Sequence, residues 1–442
     1  DYTLLVSRSS KLDYARDHLN ELFGKKYPRN FRREHVSYRR DTPEELAVIN
    51  YTSGTTSYSK GVMIPYRALW SNTQFAFDVL KMNPGDKLVS MLPMAHMYGL
   101  AFEFLYEFCV GCHIYFLTRT PSPKIIFQAF SEVKPNLVVA VPLIIEKIIK
   151  KNVLPKLETP AMKILLKVPI INDKIKATVR EQMINAFGGN FYEIIVGGAA
   201  FNQEIEQFLK SIDFPYTVGY GMTECAPIIC YEDWKYFKPG SCGKAAPRME
   251  VKILSPDPEN IVGEIVCKGP NVMLGYYKNP EATADSFTED GWFRTKDLGV
   301  FDADGYLYIK GRLSNMILGP SGENIYPEDI ETVLNSHVCI ADSIVTEQQG
   351  RLVALVHFNR DEIESMIDDW REEWESKKEA WEAKTEQLKK EIMDFVNAKV
   401  NRFSRISEVV EEKEDFIKTP THKIKRFLYN KNKNGQTPDQ PA

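Results

Sequence analysis

Tyr51-Thr52-Ser53-Gly54-Thr55-Thr56-Ser57-Tyr58-Ser59-Lys60-Gly61 follows an apolar run, Leu46 to Ile49, that reads as a short buried strand. The loop offers backbone N–H groups, hydroxyl donors and one ammonium, which together suit a polyanion. Gly54 and Gly61 let the backbone bend and approach a ligand closely. The reading is a phosphate-wrapping loop. It is not the G-x-x-x-x-G-K-[ST] pattern, because Lys60 is followed by Gly61 and Val62. Taken alone, the same residues also suit a Ser/Thr-rich surface turn.

The surrounding composition narrows the class. The chain has 442 residues, enough for two or three domains with an ample core. Its formal net charge of -4 makes no global case for nucleic acid. Seven cysteines are scattered through apolar contexts with no secretory signal at the start, which points to a reducing, cytoplasmic setting. Cys109 and Cys112 lie in the apolar run Phe108 to Phe116 without a second pair, so buried thiols are expected rather than a metal or redox site. No apolar run approaches the roughly 20 residues of a membrane span.

Along the chain, Leu12 to Phe23 has helical spacing, and Lys25 to Arg40 is basic and loop-like. Ala68 to Leu80 reads as a helix and Lys87 to Leu92 as a strand. Strands at Leu137 to Val141, Glu193 to Val196 and Tyr216 to Val218 alternate with helices at Lys174 to Phe187 and Asn202 to Ser211. This pattern predicts an α/β sheet buried on both faces. Short strands at Val251 to Leu254, Gly263 to Lys268 and Tyr306 to Ile309 predict a small β subdomain. A domain boundary is expected just after Gly311-Arg312, giving a large domain over 1–312 and a smaller α+β domain over 313–442. In the latter, Pro327 to Leu334 is helical, and Ser343 to Thr346 and Leu352 to Phe358 are strands. The residues Ile363, Ile367, Trp370, Trp374, Trp381, Leu388, Ile392 and Phe395 mark one apolar face of a long charged helix. Asn430 to Ala442 is polar and reads as disordered.

Further blocks follow the loop in order: Leu92-Pro93-Met94-Ala95-His96-Met97-Tyr98-Gly99, Gly197-Gly198-Ala199-Ala200, Tyr220-Gly221-Met222-Thr223-Glu224, Trp292-Phe293-Arg294-Thr295-Lys296-Asp297, Tyr308-Ile309-Lys310-Gly311-Arg312, Gly319 to Glu331, and Thr419 to Arg426. As an ordered set they resemble the adenylate-forming enzymes: acyl-CoA synthetases, peptide-synthetase adenylation domains and luciferases. The resemblance runs from about residue 46 to 427. The usual loop of that family is Tyr-Thr-Ser-Gly-Thr-Thr-Gly-x-Pro-Lys-Gly, so Ser57 and Ser59 depart from it. Lys296 and His422 stand where the family has Gly, and the hinge, near Ser314 and Asn315, also departs. The form Thr-Pro-Thr-x-Lys-Ile-Lys-Arg is closest to long-chain fatty acid–CoA ligases. The family carries a longer segment before its phosphate loop than residues 1–50 here, so an N-terminal subdomain is expected to be missing and the large domain to be incomplete there.

The resemblance implies site residues. Thr52, Ser53, Gly54, Thr55, Thr56 and Lys60 hold phosphates. Gly198, Ala199 and Ala200 make room for adenine, against the plainer reading of a strand-to-helix turn. Tyr220 stacks on the purine, with Gly221 and Met222 beside it. Thr223 bonds the α-phosphate, and Glu224 with Thr55 holds Mg²⁺. Asp297 and Arg312 take the ribose. His96, Tyr98, Gly99 and Gly197 line the acyl pocket. The region Ala101 to Tyr106 lacks the Phe-Asp pattern of amino-acid-activating members, which argues for an acid without an amine. Gly319, Gly322 and Glu323 belong to the loop that closes for the CoA step. Lys423 is the catalytic lysine, and Thr223 and Glu224 are catalytic with it. The implied reaction activates a long-chain fatty acid with ATP, through acyl-AMP, and transfers it to CoA. A carrier-protein thiol as acceptor and a non-catalytic nucleotide- or acyl-binding relative are the alternatives. The smaller domain is expected to be mobile. A peripheral contact at the inner membrane face and a homodimer are further partners left open.

Overall fold

The computed structural model describes residues 14, 17–27, 29, 32–35, 41–52, 59–117, 122–153, 169–319, 323–365, 374–418 and 424–429. Contacts separate two units, residues 1–45 and 46–442. In the first, α1 (Leu19–Lys26) places Glu21 in its first turn and Lys25 and Lys26 in its last. Those charges complement the helix dipole. The helix therefore lies toward the C-terminal side of the predicted stretch, and none of its residues is buried.

The second unit opens with β1 (Leu46–Thr52) and β2 (Lys60–Pro65), an antiparallel pair that sets Thr52 opposite Lys60. β1 is half-exposed rather than fully buried, because its one buried residue is Asn50. α2 (Tyr66–Val79) follows at once and buries Ala68, Phe75 and Ala76. Next come β3 (Lys87–Ser90), α3 (Met97–Leu100), a π-helical turn at Ala101–Leu105, α4 (Tyr106–Val110) and β4 (His113–Phe116). Gly111, at φ 91°, ends α4 in the left-handed conformation that a side chain disfavours.

α5 (Pro123–Val133), β5 (Val138–Ala140), α6 (Pro142–Asn152), α7 (Pro169–Ala186), β6 (Ile194–Val196), α8 (Gln203–Ser211) and β7 (Tyr216–Val218) complete the α/β part. β5, β6 and β7 are parallel, as are β3 and β4, and a parallel bridge between Leu88 and Leu137 joins the two sets. The strand order is β4-β3-β5-β6-β7. Alternate side chains enter two cores, as the period of a strand dictates. Leu88, Val139 and Ile195 share one with Val62, Phe75 and Phe102, whereas Val89, Val138, Ala140, Ile194 and Val196 share the other with Phe130, Met183 and Phe187. Each such Val, Leu, Ile, Phe or Met side chain contributes about 1.5–3 kcal/mol.

The thiols of the run Phe108 to Phe116, expected to be buried, are not. Phe108 is 70% exposed and Phe116 53%, Cys109 is exposed and Cys112 is half-buried. Among the described strands β4 pairs with β3 alone and lies at the sheet edge, so hydrophobicity along the chain did not translate into burial. Among the described residues no group of acidic, His or Cys side chains is arranged to hold a metal by itself.

β8 (Tyr220–Gly221), β9 (Ile228–Tyr231) and β10 (Lys244–Ala245) form an antiparallel sheet. The predicted β region contains β11 (Glu250–Leu254), β12 (Gly263–Lys268), β13 (Gly275–Tyr276), α9 (Pro280–Ala284), β14 (Phe293–Phe301) and β15 (Leu307–Arg312). Four of these strands make one antiparallel sheet, β11-β12-β14-β15. β13 leaves that sheet and pairs with β2, which straps the β region onto the strand that leaves the phosphate loop.

Beyond residue 312 lie the hairpin β16 (Ile317–Leu318) and β17 (Asn324–Ile325), then α10 (Pro327–Ser336), β18 (Ile340–Gln348), β19 (Arg351–Phe358), α11 (Arg360–Ser365), α12 (Trp374–Lys399) and β20 (Glu408–Glu411). Ile330, Leu334, Val356, Ile363, Leu388, Ile392 and Val396 share a separate core. The predicted long helix is described as α11 and α12, with Ile367 and Trp370 outside the described residues. No described helix is long and apolar enough to cross a membrane.

Candidate active site

Ligands of open α/β sheets bind at the carboxyl ends of the strands, and the blocks at His96, Gly197 and Tyr220 follow the carboxyl ends of β3, β6 and β7. β6 runs into Gly197, whose N–H donates to the Ala140 carbonyl at 3.1 Å. Gly198 turns the chain at φ 89°, and Gly198, Ala199 and Ala200 form an exposed shelf of small residues. Tyr98 lies against Gly197. Its hydroxyl donates to the Ile195 carbonyl at 3.0 Å, and a Cβ on Gly197 would stand 3.1 Å from the Tyr98 ring. Gly99, within α3, leaves no room for a side chain, since a Cβ there would come within 2.9 Å of the Pro93 carbonyl. His96 is half-buried, immediately before α3. Asn50 on β1 donates from Nδ2 to the Ala95 carbonyl at 2.7 Å and so joins the loop strand to the His96 block.

β7 leads through Gly219 into Tyr220. The Tyr220 hydroxyl donates to Asp297 Oδ2 at 2.7 Å, and Arg312 Nε stands 3.0 Å from Asp297 Oδ1. Asp297 and Arg312 face each other across β14 and β15. Burial opposes the charge on Arg312, and the carboxylates of Asp297, Glu224 and Glu328 help to keep it protonated. Burial, then Asp297, pushes the Tyr220 hydroxyl well up, so it remains a donor. Lys296 occupies φ 61°, which explains glycine in the family pattern, and its ammonium pairs with Asp285.

Gly221 is fixed by sterics. A Cβ would lie 2.3 Å from the Pro227 carbonyl oxygen, while the next N–H, of Met222, donates to that oxygen at 2.9 Å. Thr223, half-buried, and Glu224, buried, occupy the short turn Thr223–Cys225. The Glu224 carbonyl accepts from the Met273 N–H at 2.8 Å, and its Oε1 accepts from the Tyr276 hydroxyl at 2.9 Å. Lys60 Nζ stands 4.9 Å above the centre of the same Tyr276 ring. Thus Lys60 and Glu224, 164 positions apart in the chain numbering, meet through one aromatic side chain. Thr52 sits opposite Lys60, whereas Ser53, Gly54, Thr55 and Thr56 lie outside the described residues.

In the C-terminal part, the Gly319 N–H donates to the Glu323 carbonyl at 2.8 Å. Gly322 and Lys423 lie outside the described residues. The neighbours of Lys423 are anchored: Lys418 bridges to Ile424, the Lys425 N–H donates to the Ile417 carbonyl at 2.9 Å, and Lys418 pairs with Asp342 at 2.6 Å. Near the expected hinge, Asn315 Nδ2 donates to Glu328 Oε1 at 2.5 Å.

Sequence reading missed Tyr276 and Asn50. Tyr276 reads as one of two consecutive aromatics, and Asn50 as a polar interruption in a strand. Neither belongs to a charged or glycine-rich pattern. Glu103 gains meaning as well. It is buried and accepts from Ser90 Oγ at 3.0 Å and the Leu92 N–H at 2.8 Å, so this carboxylate is committed to the backbone of its own block. As to a metal, Glu224 is a hard oxygen donor whose Oε1 alone is engaged by Tyr276. One carboxylate supplemented by phosphate oxygens and water suits Mg²⁺.

Comparison with known proteins gives a consistent neighbourhood. A family model described as AMP-binding enzyme matches residues 6–277. The long-chain-fatty-acid–CoA ligase 4 of Saccharomyces cerevisiae is 28% identical over 330 residues, covering 70% of this chain and 47% of the relative. A probable 4-coumarate–CoA ligase 2 of Dictyostelium discoideum is 31% identical over 317 residues, covering 70% of this chain and 52% of the relative. This chain spans about half the length of the curated relatives it matches. Among solved structures, the O-succinylbenzoate coenzyme A synthetase of Bacillus subtilis, in complex with ATP and magnesium ion, superposes with a TM-score of 0.68 at 22% identity. It covers 90% of this chain and 72% of that one.

Proposed function

This chain belongs to the AMP-binding enzyme family, and from that premise we propose that it is part of an acyl-CoA synthetase acting on a long-chain fatty acid. The observation that carries the reading is a pair of contact sets, Lys60 with Glu224 through Tyr276 and Tyr220 with Asp297 and Arg312, that meet in the segment Tyr220 to Glu224 following β7. Asp297 and Arg312 receive the ribose, the shelf Gly198-Ala199-Ala200 receives the base, and Lys60 and Thr223 face the phosphates. Glu224 with Thr55 would hold Mg²⁺, which supplies charge neutralisation at the phosphates when bound.

In the first step a carboxylate oxygen of the acid attacks the α-phosphorus of ATP, and the bond to pyrophosphate breaks. Nucleophile and electrophile are both anionic, so positioning and charge neutralisation dominate the barrier. Lys423 and Lys60 provide cations for it. The segment after residue 312 then turns about the region of Ser314 and Asn315, bringing the loop with Gly319, Gly322 and Glu323 forward. The CoA thiol attacks the acyl carbonyl, and AMP leaves. An acid without an amine is favoured because Glu103, the carboxylate of the Ala101 to Tyr106 region, is already committed to Ser90 and Leu92.

The test is pyrophosphate release by the full-length protein across fatty acids of increasing chain length, with and without CoA. Release that depends on a long-chain acid, together with CoA-dependent thioester, is the expected result. Acylation of a carrier protein without acyl-CoA overturns CoA as acceptor. ATP binding without pyrophosphate release for any acid overturns the catalytic reading.

A further inference from the structure

Tyr276 holds two of the site's charges at once. It is 8% exposed and lies on β13, where it pairs with Val62, two residues beyond Lys60. The backbone around it is anchored at four points. The Met273 N–H donates to the Glu224 carbonyl at 2.8 Å, the Leu274 N–H to the Met63 carbonyl at 2.9 Å, and the Tyr277 N–H to the Gly61 carbonyl at 2.7 Å. The Tyr276 N–H donates to Thr283 Oγ1 at 2.9 Å. The segment therefore bridges the turn that carries Glu224 and the strand that leaves the phosphate loop. Its side chain repeats that bridge, with the hydroxyl 2.9 Å from Glu224 Oε1 and the ring face 4.9 Å from Lys60 Nζ.

The two contacts use different parts of the ring system. The hydroxyl donates to the carboxylate. A donor on Oε1 fixes the rotation of the carboxylate. The negative face of the ring attracts an ammonium. A small apolar residue here would make neither contact. The tyrosine satisfies both charges partially and keeps them apart, which leaves the carboxylate to a metal and the ammonium to phosphate.

We propose that Tyr276 is a positioning residue that spaces Glu224 from Lys60, its hydroxyl orienting the carboxylate and its ring face orienting the ammonium. The inference rests on the adenylate-forming reading above. It is tested with the full-length protein by acid-dependent pyrophosphate release while Mg²⁺ and ATP are varied independently. Tyr276→Phe keeps the ring and loses the hydroxyl. It is expected to raise the Mg²⁺ concentration for half-maximal rate about 10-fold, as loss of a ligand's orienting partner does, with the rate restored at saturating Mg²⁺ and KM for ATP little changed. Tyr276→Leu loses both contacts and is expected to raise KM for ATP as well. The melting temperature of each variant checks its fold, and the split between the two titrations is not what a merely unstable protein would give. Wild-type Mg²⁺ and ATP responses in both folded variants overturn the role of Tyr276. Wild-type protein that releases no pyrophosphate with any acid overturns the reading of the reaction itself.

Discussion

At the scale of single residues, the site depends on a few contacts with no substitute. Asp297 accepts from Tyr220 and pairs with Arg312. Asp297→Asn keeps the shape and removes the charge, leaving the guanidinium without its partner. KM for ATP is expected to rise about 10-fold or more, with a melting temperature close to wild type. An unchanged KM would remove Asp297 from the nucleotide site. Gly221 is constrained by space rather than charge, since a Cβ would meet the Pro227 oxygen at 2.3 Å. Gly221→Ala must shift the turn that carries Thr223 and Glu224, so it is expected to lose about 1–3 kcal/mol of stability and most of the pyrophosphate release. Denaturant titration and the release assay check the two parts separately.

At the scale of elements, the parallel sheet is held by the helices against each face. Phe187, just after α7, is fully buried and packs with Phe127, Phe130, Phe191 and Phe214 at centroid distances of 5.8 to 6.2 Å. Phe187→Ala is expected to cost about 3–5 kcal/mol by denaturant unfolding. Phe116→Ala, on the exposed edge strand β4, is expected to change stability by less than about 0.5 kcal/mol. Equal effects would contradict this assignment of inside and outside. The contrast also marks where sequence reading stopped. The helices and strands expected between residues 66 and 358 agree with the structure to within a few residues, because each element's own pattern encodes its buried face. Whether a second strand or helix covers that face depends on partners elsewhere in the chain, so the thiols of Cys109 and Cys112, expected to be buried, are exposed and half-buried.

At the scale of the whole molecule, the second unit buries several carboxylic acids. Burial pushes Glu103, Glu107, Glu193 and Glu206 from 4.5 up to about 8 each. Such a group binds its proton more tightly in the folded state than in the unfolded one. Between 4.5 and about 8 the folded state therefore holds more protons, and stability falls as pH rises through that interval. The melting temperature is expected to decline from about pH 5 to about pH 9. Glu107 isolates the effect, because it is fully buried and no other described residue donates a hydrogen bond to its carboxylate oxygens. Glu107→Gln is expected to stabilise the protein by a few kcal/mol at the alkaline end and hardly at all at the acidic end. A parallel pH profile for the two proteins would reject this account.

By itself the sequence determined the order of its blocks, and with them the class of chemistry. A glycine-rich hydroxyl loop with Lys60, the turn Tyr220 to Glu224, and the late Asp297 and Arg312 are local patterns, legible because each loop's chemistry is written in adjacent residues. Only the tertiary structure decided who touches whom. That Tyr276 would stand between Lys60 and Glu224 depends on β13 leaving its neighbours to pair with β2. That Asn50 would hold the His96 block, and that β4 would be an edge, depend likewise on strand pairing. Such contacts join positions far apart in the chain, and neither composition nor periodicity records them.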